Sequence, residues 1–219
     1  MKKIIVFAGA LFLTLASCIK HEVIPAPVPT VDLYAHFIGD FTPSQGGTAT
    51  IELTENVLGY TNTSEKAKVI LPPPSFSSAV YYSQMSSSQA ATMIKIGLGS
   101  VLWDASSESD PGLNTFNTFF TDNADPNNPN YSNGGASGFE VTYRDGYGAV
   151  WYSDESSVNV QDVSFTNISQ DSDSTGDYSL FVCTFNCYVY RTYYDPTLMV
   201  DVTDSVRIDN AVYSGWFKR

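Results

Sequence analysis

Tyr178 to Arg191 reads YSLFVCTFNCYVYR, and this stretch decides the fold class. Apolar or thiol side chains stand at every second position from Phe181 to Val189. That spacing is the period of a β-strand with one buried face, because successive side chains of a strand point to opposite sides of a sheet. The stretch therefore predicts a strand that contributes one face to a hydrophobic core.

Two cysteines lie on the predicted buried face of this strand. Cys183 and Cys187 are four residues apart, so their Cα atoms would be about 13 Å apart in an extended chain. A disulfide requires Cα atoms within about 7 Å of each other. We therefore expect two free thiols in the core; a bulge that closes a bridge, or a redox or metal-binding pair, is the alternative.

Similar alternation recurs on both sides of this stretch. Gly112 to Asp122 (GLNTFNTFFTD) is the single helix candidate, since its apolar residues fall at i, i+3, i+6 and i+7. Strand signals separated by turns, with one helix, predict an all-β, antiparallel β-sandwich with one short helix and long polar loops. The other predicted strands are Val31–Phe41, Thr48–Val57, Ala79–Tyr82, Thr92–Gly97, Phe139–Tyr143, Ala149–Tyr152, Val158–Ile168, Met199–Asp209 and Val212–Phe217, with a brief edge segment at Val69–Leu71.

The N-terminal residues differ in composition from the rest of the chain. Lys2 and Lys3 precede an apolar run from Ile4 to Ala16, which is too short to cross a hydrocarbon core that needs about 20 residues. This pattern predicts a secretory signal. Its ending, Leu-Ala-Ser-Cys at Cys18, resembles the lipobox of bacterial lipoproteins. The resemblance implies cleavage before Cys18 and lipid on its sulfur; an ordinary signal peptide with a chance cysteine is the alternative.

These features divide the chain into three parts. We predict a lipoprotein signal peptide at 1–17, the lipidated Cys18 with a proline-rich tether at 18–30, and a single β-sandwich domain at 31–219. Ile19 is not the aspartate that retains some lipoproteins at an inner membrane, so the resemblance implies a lipid-anchored location at the outer membrane of the cell envelope. Whether the domain faces the periplasm or the cell surface stays open.

The charge of the chain limits its partners. The 219 residues carry a formal net charge of −12, and removal of Lys2 and Lys3 with the signal would make it more negative. Nucleic acids and anionic lipid surfaces repel such a domain. We therefore expect no nucleic-acid partner, and we expect the lipid on Cys18 to provide the membrane attachment.

One segment resembles a metal-binding loop. Asp171, Asp173, Thr175 and Asp177 place oxygen atoms at alternate positions around a glycine, as in the first half of a D-x-D-x-D-G calcium loop. Val182 occupies the twelfth position, where such loops carry a bidentate glutamate. These four residues are a candidate calcium site, and a polar hairpin tip is the alternative.

Aromatic residues suggest a second kind of ligand. Trp103, Trp151 and Trp216, with the many tyrosines and the polar loop around Tyr131, are candidates for a platform that stacks on sugar rings. The alternative is that these rings fill the core and the cross-strand pairs of a β protein.

Catalytic motifs are not found in the sequence. Besides His21 in the tether, His36 is the one histidine, and the chain has no G-x-S-x-G, HExxH, P-loop or dinucleotide-binding pattern. Acidic pairs such as Asp154-Glu155 could serve a glycosidase only if the fold placed them correctly. We expect that the protein is not an enzyme.

Several segments are similar to small outer-membrane lipoproteins of Bacteroidetes. They are the proline-rich tether, NTFNTFF, GFEVTYRDGYGAVW, SLFVCTFNCYVYR and VRIDNAVYSGWFKR. This resemblance implies an envelope location and brings no activity with it. The expected function is a lipid-anchored binding module, an accessory protein that contacts a protein partner in the envelope. The alternative is a glycan-binding surface lipoprotein, with or without calcium, and a hydrolase is the third option.

Overall fold

The computed structural model describes residues 30–106, 108–121, 129–132, 138–154 and 162–219. These residues form ten β-strands and one helix, which confirms the all-β class with a single short helix. No helix in these ranges has the length and apolar character that crossing a membrane requires. The elements are β1 His36–Pro43, β2 Ala49–Thr54, β3 Tyr60–Val69, β4 Ser77–Ser87, β5 Met93–Trp103, α1 Leu113–Thr121, β6 Gly138–Arg144, β7 Val150–Ser153, β8 Asp162–Asp173, β9 Gly176–Asp195 and β10 Val200–Lys218.

The ten strands form one antiparallel sheet. Its order is β2-β1-β10-β9-β7-β6-β5-β4-β3. β8 is outside this order, because it pairs with a different part of β9 from the part that pairs with β7. The two separate sheets of a sandwich are therefore not confirmed. The reason is the length of β9 and β10, which have 20 and 19 residues and run through both halves of the fold. β8 pairs with the first half of β9, as far as Asn186, and β7 pairs with Val189 and Tyr190 in the second half.

The sheet curls so that its two halves pack face to face. The ring of Phe139 on β6 lies 5.8 Å from that of Phe165 on β8 and 5.5 Å from that of Phe185 on β9. β6 lies in one half of the sheet, whereas β8 and the first half of β9 lie in the other, so the inner faces of the two halves share one aromatic core. Burial of such rings is the main source of stability, at about 25 cal/mol per Å² of apolar surface.

Helix α1 closes one end of the curled sheet. The helix begins at Leu113, and Gly112 O accepts a helical hydrogen bond from Phe116 N at 3.0 Å, so Gly112 is the N-cap residue. Phe116 and Phe120 are buried and pack against Tyr81, and Phe120 stacks on Phe217 at 5.1 Å. The predicted helix is confirmed, and its apolar face seals the core.

A buried polar cluster joins β3 to β10 across the core. The Asn62 amide lies 2.5 Å from Tyr213 Oη, which lies 3.1 Å from Ser83 Oγ. In the amide orientation that satisfies both of its ends, the nitrogen donates to Tyr213 and the oxygen accepts from Trp216 Nε1 at 3.2 Å. Buried polar groups are costly without partners, so this cluster fixes how the two halves meet.

Three strand predictions need correction. β3 was expected only as an edge segment at Val69–Leu71, because its charged residues hide the alternation of an edge strand. β4 was expected only at Ala79–Tyr82, but it runs from Ser77 to Ser87. β10 was expected as two strands, but it is one strand with a bulge between Ile208 and Ala211, where Asn210 has a φ of 52°.

Candidate functional site: a groove on the outer face of the sheet

The outer face of β4, β5, β6 and β7 contains a groove of about 320 Å³. Its lining includes Tyr82, Lys95, Glu140, Thr142 and Tyr152. The volume is within the range of small-ligand sites, which begins near 300 Å³. The side chains offer aromatic surface, one ammonium group, one carboxylate and hydroxyl groups around an open depression.

Strand alternation and register bring these residues together. On β6, Phe139, Val141 and Tyr143 are buried, so Glu140 and Thr142 face outward. Thr142 pairs with Lys95 on one side and with Tyr152 on the other. In the next row Gly97 of β5 pairs with Tyr82 on β4 and with Glu140 on β6.

Gly97 allows the groove walls to approach each other. A Cβ atom at this position would lie 2.6 Å from Tyr82 Cε1 and 2.7 Å from Glu140 Cγ, which is closer than real Cβ atoms come to other atoms. The glycine therefore leaves room for the tyrosine ring and the glutamate to lie over the strand. Any side chain here would force them apart.

The polar groups of the groove are held in place by one another. Lys95 Nζ lies 4.5 Å from the centre of the Tyr82 ring, a cation–π contact. Burial raises the pKa of the Tyr82 hydroxyl, and its hydrogen bond to Glu140 and the negative charge of Glu140 raise it further. At neutral pH Tyr82 is therefore a neutral donor to Glu140. The groove can hydrogen-bond a polar ligand, and its lining includes one carboxylate.

Tyr152 offers the most accessible aromatic surface of the groove, with 59% of its area exposed. It stands opposite Tyr190 on β9, and Tyr190 stacks with Tyr188 at 6.2 Å. The three tyrosines continue the aromatic character of the groove across β7 and β9. A ring-shaped ligand such as a sugar can stack on surfaces of this kind.

Two of the three tryptophans are not available for the expected platform, and the half-buried Trp216 packs edge-on against Tyr178. Trp103 and Trp151 are buried, and their indole nitrogens donate to Glu108 O at 3.0 Å and to Asp145 Oδ2 at 3.3 Å. Tyr131 is also buried, and its hydroxyl donates to Asn186 O. These rings fill the core, and most of the polar loop around Tyr131 lies outside the described residues.

The calcium candidates lie at the tip of the β8–β9 hairpin. Asp173 Oδ1 accepts hydrogen bonds from the backbone N–H and the hydroxyl of Thr175, and its Oδ2 accepts from Val31 N at 3.0 Å. These hydrogen bonds, that of the Thr175 hydroxyl first, lower the pKa of Asp173 to about 2. Asp177 accepts hydrogen bonds from the Ser172 hydroxyl and from Arg219 Nε. These carboxylates therefore already stabilise the turn, and they also hold Val31 and Arg219 beside it.

Calcium at this tip stays a prediction. Within the described ranges no group of three or more His, Cys, Asp or Glu residues is arranged to hold a metal ion. Asp171, Asp173, Thr175 and Asp177 would have to exchange internal hydrogen bonds for the ion. Calorimetry with millimolar calcium tests this directly, and an absence of heat would remove the site.

Of the other candidate groups, the two core thiols and His36 have structural roles. Cys183 and Cys187 are free and fully buried, as expected, and burial raises the pKa of both thiols, which makes them poor nucleophiles. His36 Nε2 lies 2.9 Å from Glu52 Oε1 in a cross-strand pair outside the groove.

Asp154 is described, but Glu155 is not, so the acidic pair cannot be placed as a unit. Cys18 also lies outside the described residues.

Comparison with known proteins gives no relative. No family model matches the chain, and the searches of curated proteins and of solved structures also give no match. The site must therefore be interpreted from its own geometry. Sequence reasoning missed the groove because its residues belong to four strands, and the order of those strands could not be obtained from alternation alone.

Proposed function

We propose that this chain is a lipid-anchored binding module of the bacterial cell envelope, attached by Cys18 to the outer membrane, and that the groove binds a sugar residue of a glycan. The observation that carries the ligand proposal is the arrangement of Tyr82, Lys95, Glu140 and Tyr152 around one open depression. Aromatic surface beside charged and hydroxyl groups is the combination that a polyhydroxylated ring requires, because its C–H face is apolar and its edge is polar.

The groove favours a glycan over a large apolar ligand for two reasons. Its walls contain hydrogen-bonding groups on four neighbouring strands, so a ligand with many hydroxyls can satisfy them. It is also open, so a single sugar unit within a longer chain can enter without a lid. The charge of −12 is no obstacle to a neutral glycan.

A glycan-array screen followed by calorimetry tests this proposal. Tyr152→Ala should weaken binding about tenfold, equivalent to roughly 1.4 kcal/mol, by removing the exposed ring. Tyr194→Ala is the matched control, because Tyr194 is equally exposed at 59% but lies on the β9–β10 hairpin away from the groove. No glycan binding, or equal losses in the two variants, would contradict the proposal.

A protein partner in the envelope is the second candidate. In the described part of the chain, residues 191–195 of β9 and 200–204 of β10 pair only with each other, so this hairpin projects beyond β1 and β7. Its tip exposes Leu198 and Met199 at 63% and 76%. Exposed apolar tips of this kind favour contact with another protein.

A mild-detergent pull-down with the anchored protein as bait tests this second candidate. Met199→Asp should release a partner that binds the hairpin tip, and Cys18→Ala should release a partner that requires the membrane location. Tyr152→Ala should leave such a partner bound. Recovery of the bait alone would exclude a stable protein complex and leave glycan binding as the function to test.

A further inference from the structure

A group of exposed apolar residues lies at one end of the sheet. Val69 ends β3, Leu102 lies on β5, and the two flank Ser78 of β4 in register. Ile70, Leu71 and Phe76 belong to the loop between β3 and β4. Each of these five side chains, which we call the end patch, exposes between 41% and 62% of its surface. Clusters of exposed large apolar residues mark contact sites more often than isolated ones do.

The end patch lies at the same end of the domain as the start of the described chain. Val31 N donates to Asp173 at the β8–β9 hairpin tip. At this tip Asp177 accepts from Arg219 Nε, and Arg219 also donates to Pro111 O.

The same series of contacts continues to the patch itself. Lys68 Nζ donates to Ser109 O and Asp110 Oδ1, both at 3.1 Å, and Asp110 directly precedes Pro111. Lys68 is next to Val69, the first residue of the patch. Val31 and the end patch therefore lie on the same side of the domain.

The length of the tether limits how far this end can move from a membrane. Twelve residues, 19–30, separate the lipidated Cys18 from Val31, and a fully extended chain of that length spans at most about 40 Å. A short tether keeps the attached end at a high effective concentration next to the bilayer. An apolar contact too weak to hold a free domain can therefore form once the chain is anchored.

We infer that the end patch contacts the bilayer surface when the protein is anchored, so that Phe76 and the β3–β4 loop lie in the lipid interface. This inference rests on the proposed lipid anchor at Cys18. Burial of a few apolar side chains in the interface is favourable, and it requires no basic patch. The contact sets the orientation of the domain, and the β9–β10 hairpin, at the other end of β9, faces away from the lipid.

Cations at this end neutralise part of its acidic charge. Four of the eight described lysines and arginines lie here, although the domain as a whole is acidic. Two of them neutralise Asp110 and one neutralises Asp177, so these carboxylates do not face the lipid as free charges. The four are Lys66, Lys68, Lys218 and Arg219.

Depth-dependent fluorescence quenching tests the inference with the full lipidated chain. A fluorophore is placed on Phe76→Cys, and the matched control carries it on Met199→Cys, which is also exposed. Cys183 and Cys187 are buried, and the Cys18 sulfur would hold the lipid, so the introduced thiol is labelled selectively. The protein is bound to phosphatidylethanolamine–phosphatidylglycerol vesicles that contain brominated lipid. Both positions are exposed, so the labelled variants should keep the fold, which circular dichroism verifies.

We expect the label at position 76 to be quenched at least threefold more than the label at position 199. A second label on Leu102→Cys should behave like the label at 76. If the full chain fails to float with the vesicles, both the anchor and the inference are overturned. If it floats but the labels at 76 and 199 are quenched equally, the inference alone is overturned, and a protein partner becomes the occupant of the end patch to be tested.

Discussion

Replacement of Asn62 tests whether the buried polar cluster holds the two halves of the sheet together. Asn62→Leu keeps the size of the side chain but removes the amide. Tyr213 Oη then keeps only Ser83 as a partner, and Trp216 Nε1 loses its acceptor. Asn62 and Tyr213 are 7% and 0% exposed, so water cannot replace the lost groups without opening the core.

The expected loss follows from these contacts. Each lost hydrogen bond costs about 1 kcal/mol, and a buried group that remains without a partner costs about 1–3 kcal/mol. Trp216 is only half-buried, so its N–H regains some solvation. We expect Asn62→Leu to lower the free energy of unfolding by about 2–3 kcal/mol. Tyr213→Phe should cost about 1 kcal/mol, because Asn62 keeps its other partners.

Urea unfolding of the two single variants and the double variant, followed by circular dichroism, measures these losses. The double variant should lose about 1 kcal/mol less than the sum of the single variants, because both remove the same hydrogen bond. Asn114→Leu on the exposed side of α1 is the control, with a change expected within about 0.5 kcal/mol. Additive losses in the double variant, or a loss below about 1 kcal/mol for Asn62→Leu, would refute the reasoning.

Three further predictions concern the groove, the response to acid and the thiols. Gly97→Ala should reduce binding of any groove ligand at least tenfold, because its Cβ forces the tyrosine and glutamate walls apart, whereas Gly47→Ala, with nothing within 4 Å, should leave affinity unchanged. The hydrogen bond from Lys66, then that from Lys68, lowers the pKa of Asp110 to about 2 from 3.8, so the stability that it contributes is complete above pH 4 and is lost as pH falls towards 2. Asp110→Asn should therefore flatten the loss of stability in this range, at a cost below about 1 kcal/mol at pH 7, since the ion pairs are partly exposed; an unchanged acid profile would contradict this. The two thiols of β9 should resist a thiol reagent in the native protein and react in urea, and a reaction of either thiol without denaturant would show that the strand opens.

The fold class could be predicted because the core strands alternate strictly. YSLFVCTFNCYVYR and FEVTY show the period of two directly, and the four phenylalanine and leucine positions of α1 show a helical spacing. The arrangement of the strands could not be predicted. Alternation indicates which side of a strand is buried, but it contains no information on which strands are neighbours.

The edge strand β3 and the curl of the sheet were missed for related reasons. Inward-facing Asn62 and Ser64 on β3 are polar, because they hydrogen-bond across the core to Tyr213 and to Lys218 N. A polar inner face looks like a loop in the sequence. The bulge at Asn210 looks like a break between strands, whereas it allows one long strand to bend through both halves.

The candidate site was harder to predict than the fold. Tyr82, Lys95, Glu140 and Tyr152 are distributed over about seventy residues of sequence, and none of them belongs to a recognised motif. The aspartates near Thr175 were conspicuous in the sequence because turn geometry requires aspartate and glycine at close spacing. A local motif is visible in one sequence, whereas a surface assembled from four strands is visible only when the strand order is known.

The pairing of the first strand with the last has a consequence for how the protein is made. β1 pairs with β10 along most of its length, with His36 opposite Ser214 and Pro43 opposite Val206. A ribosome must therefore synthesise the chain as far as β10 before the edge of the core that β1 occupies can form. For a protein that is exported, as we propose, this delay is an advantage, because a translocation channel accepts an unfolded chain. In the export that we propose, this topology postpones the pairing of β1 with β10 until the chain has left the channel.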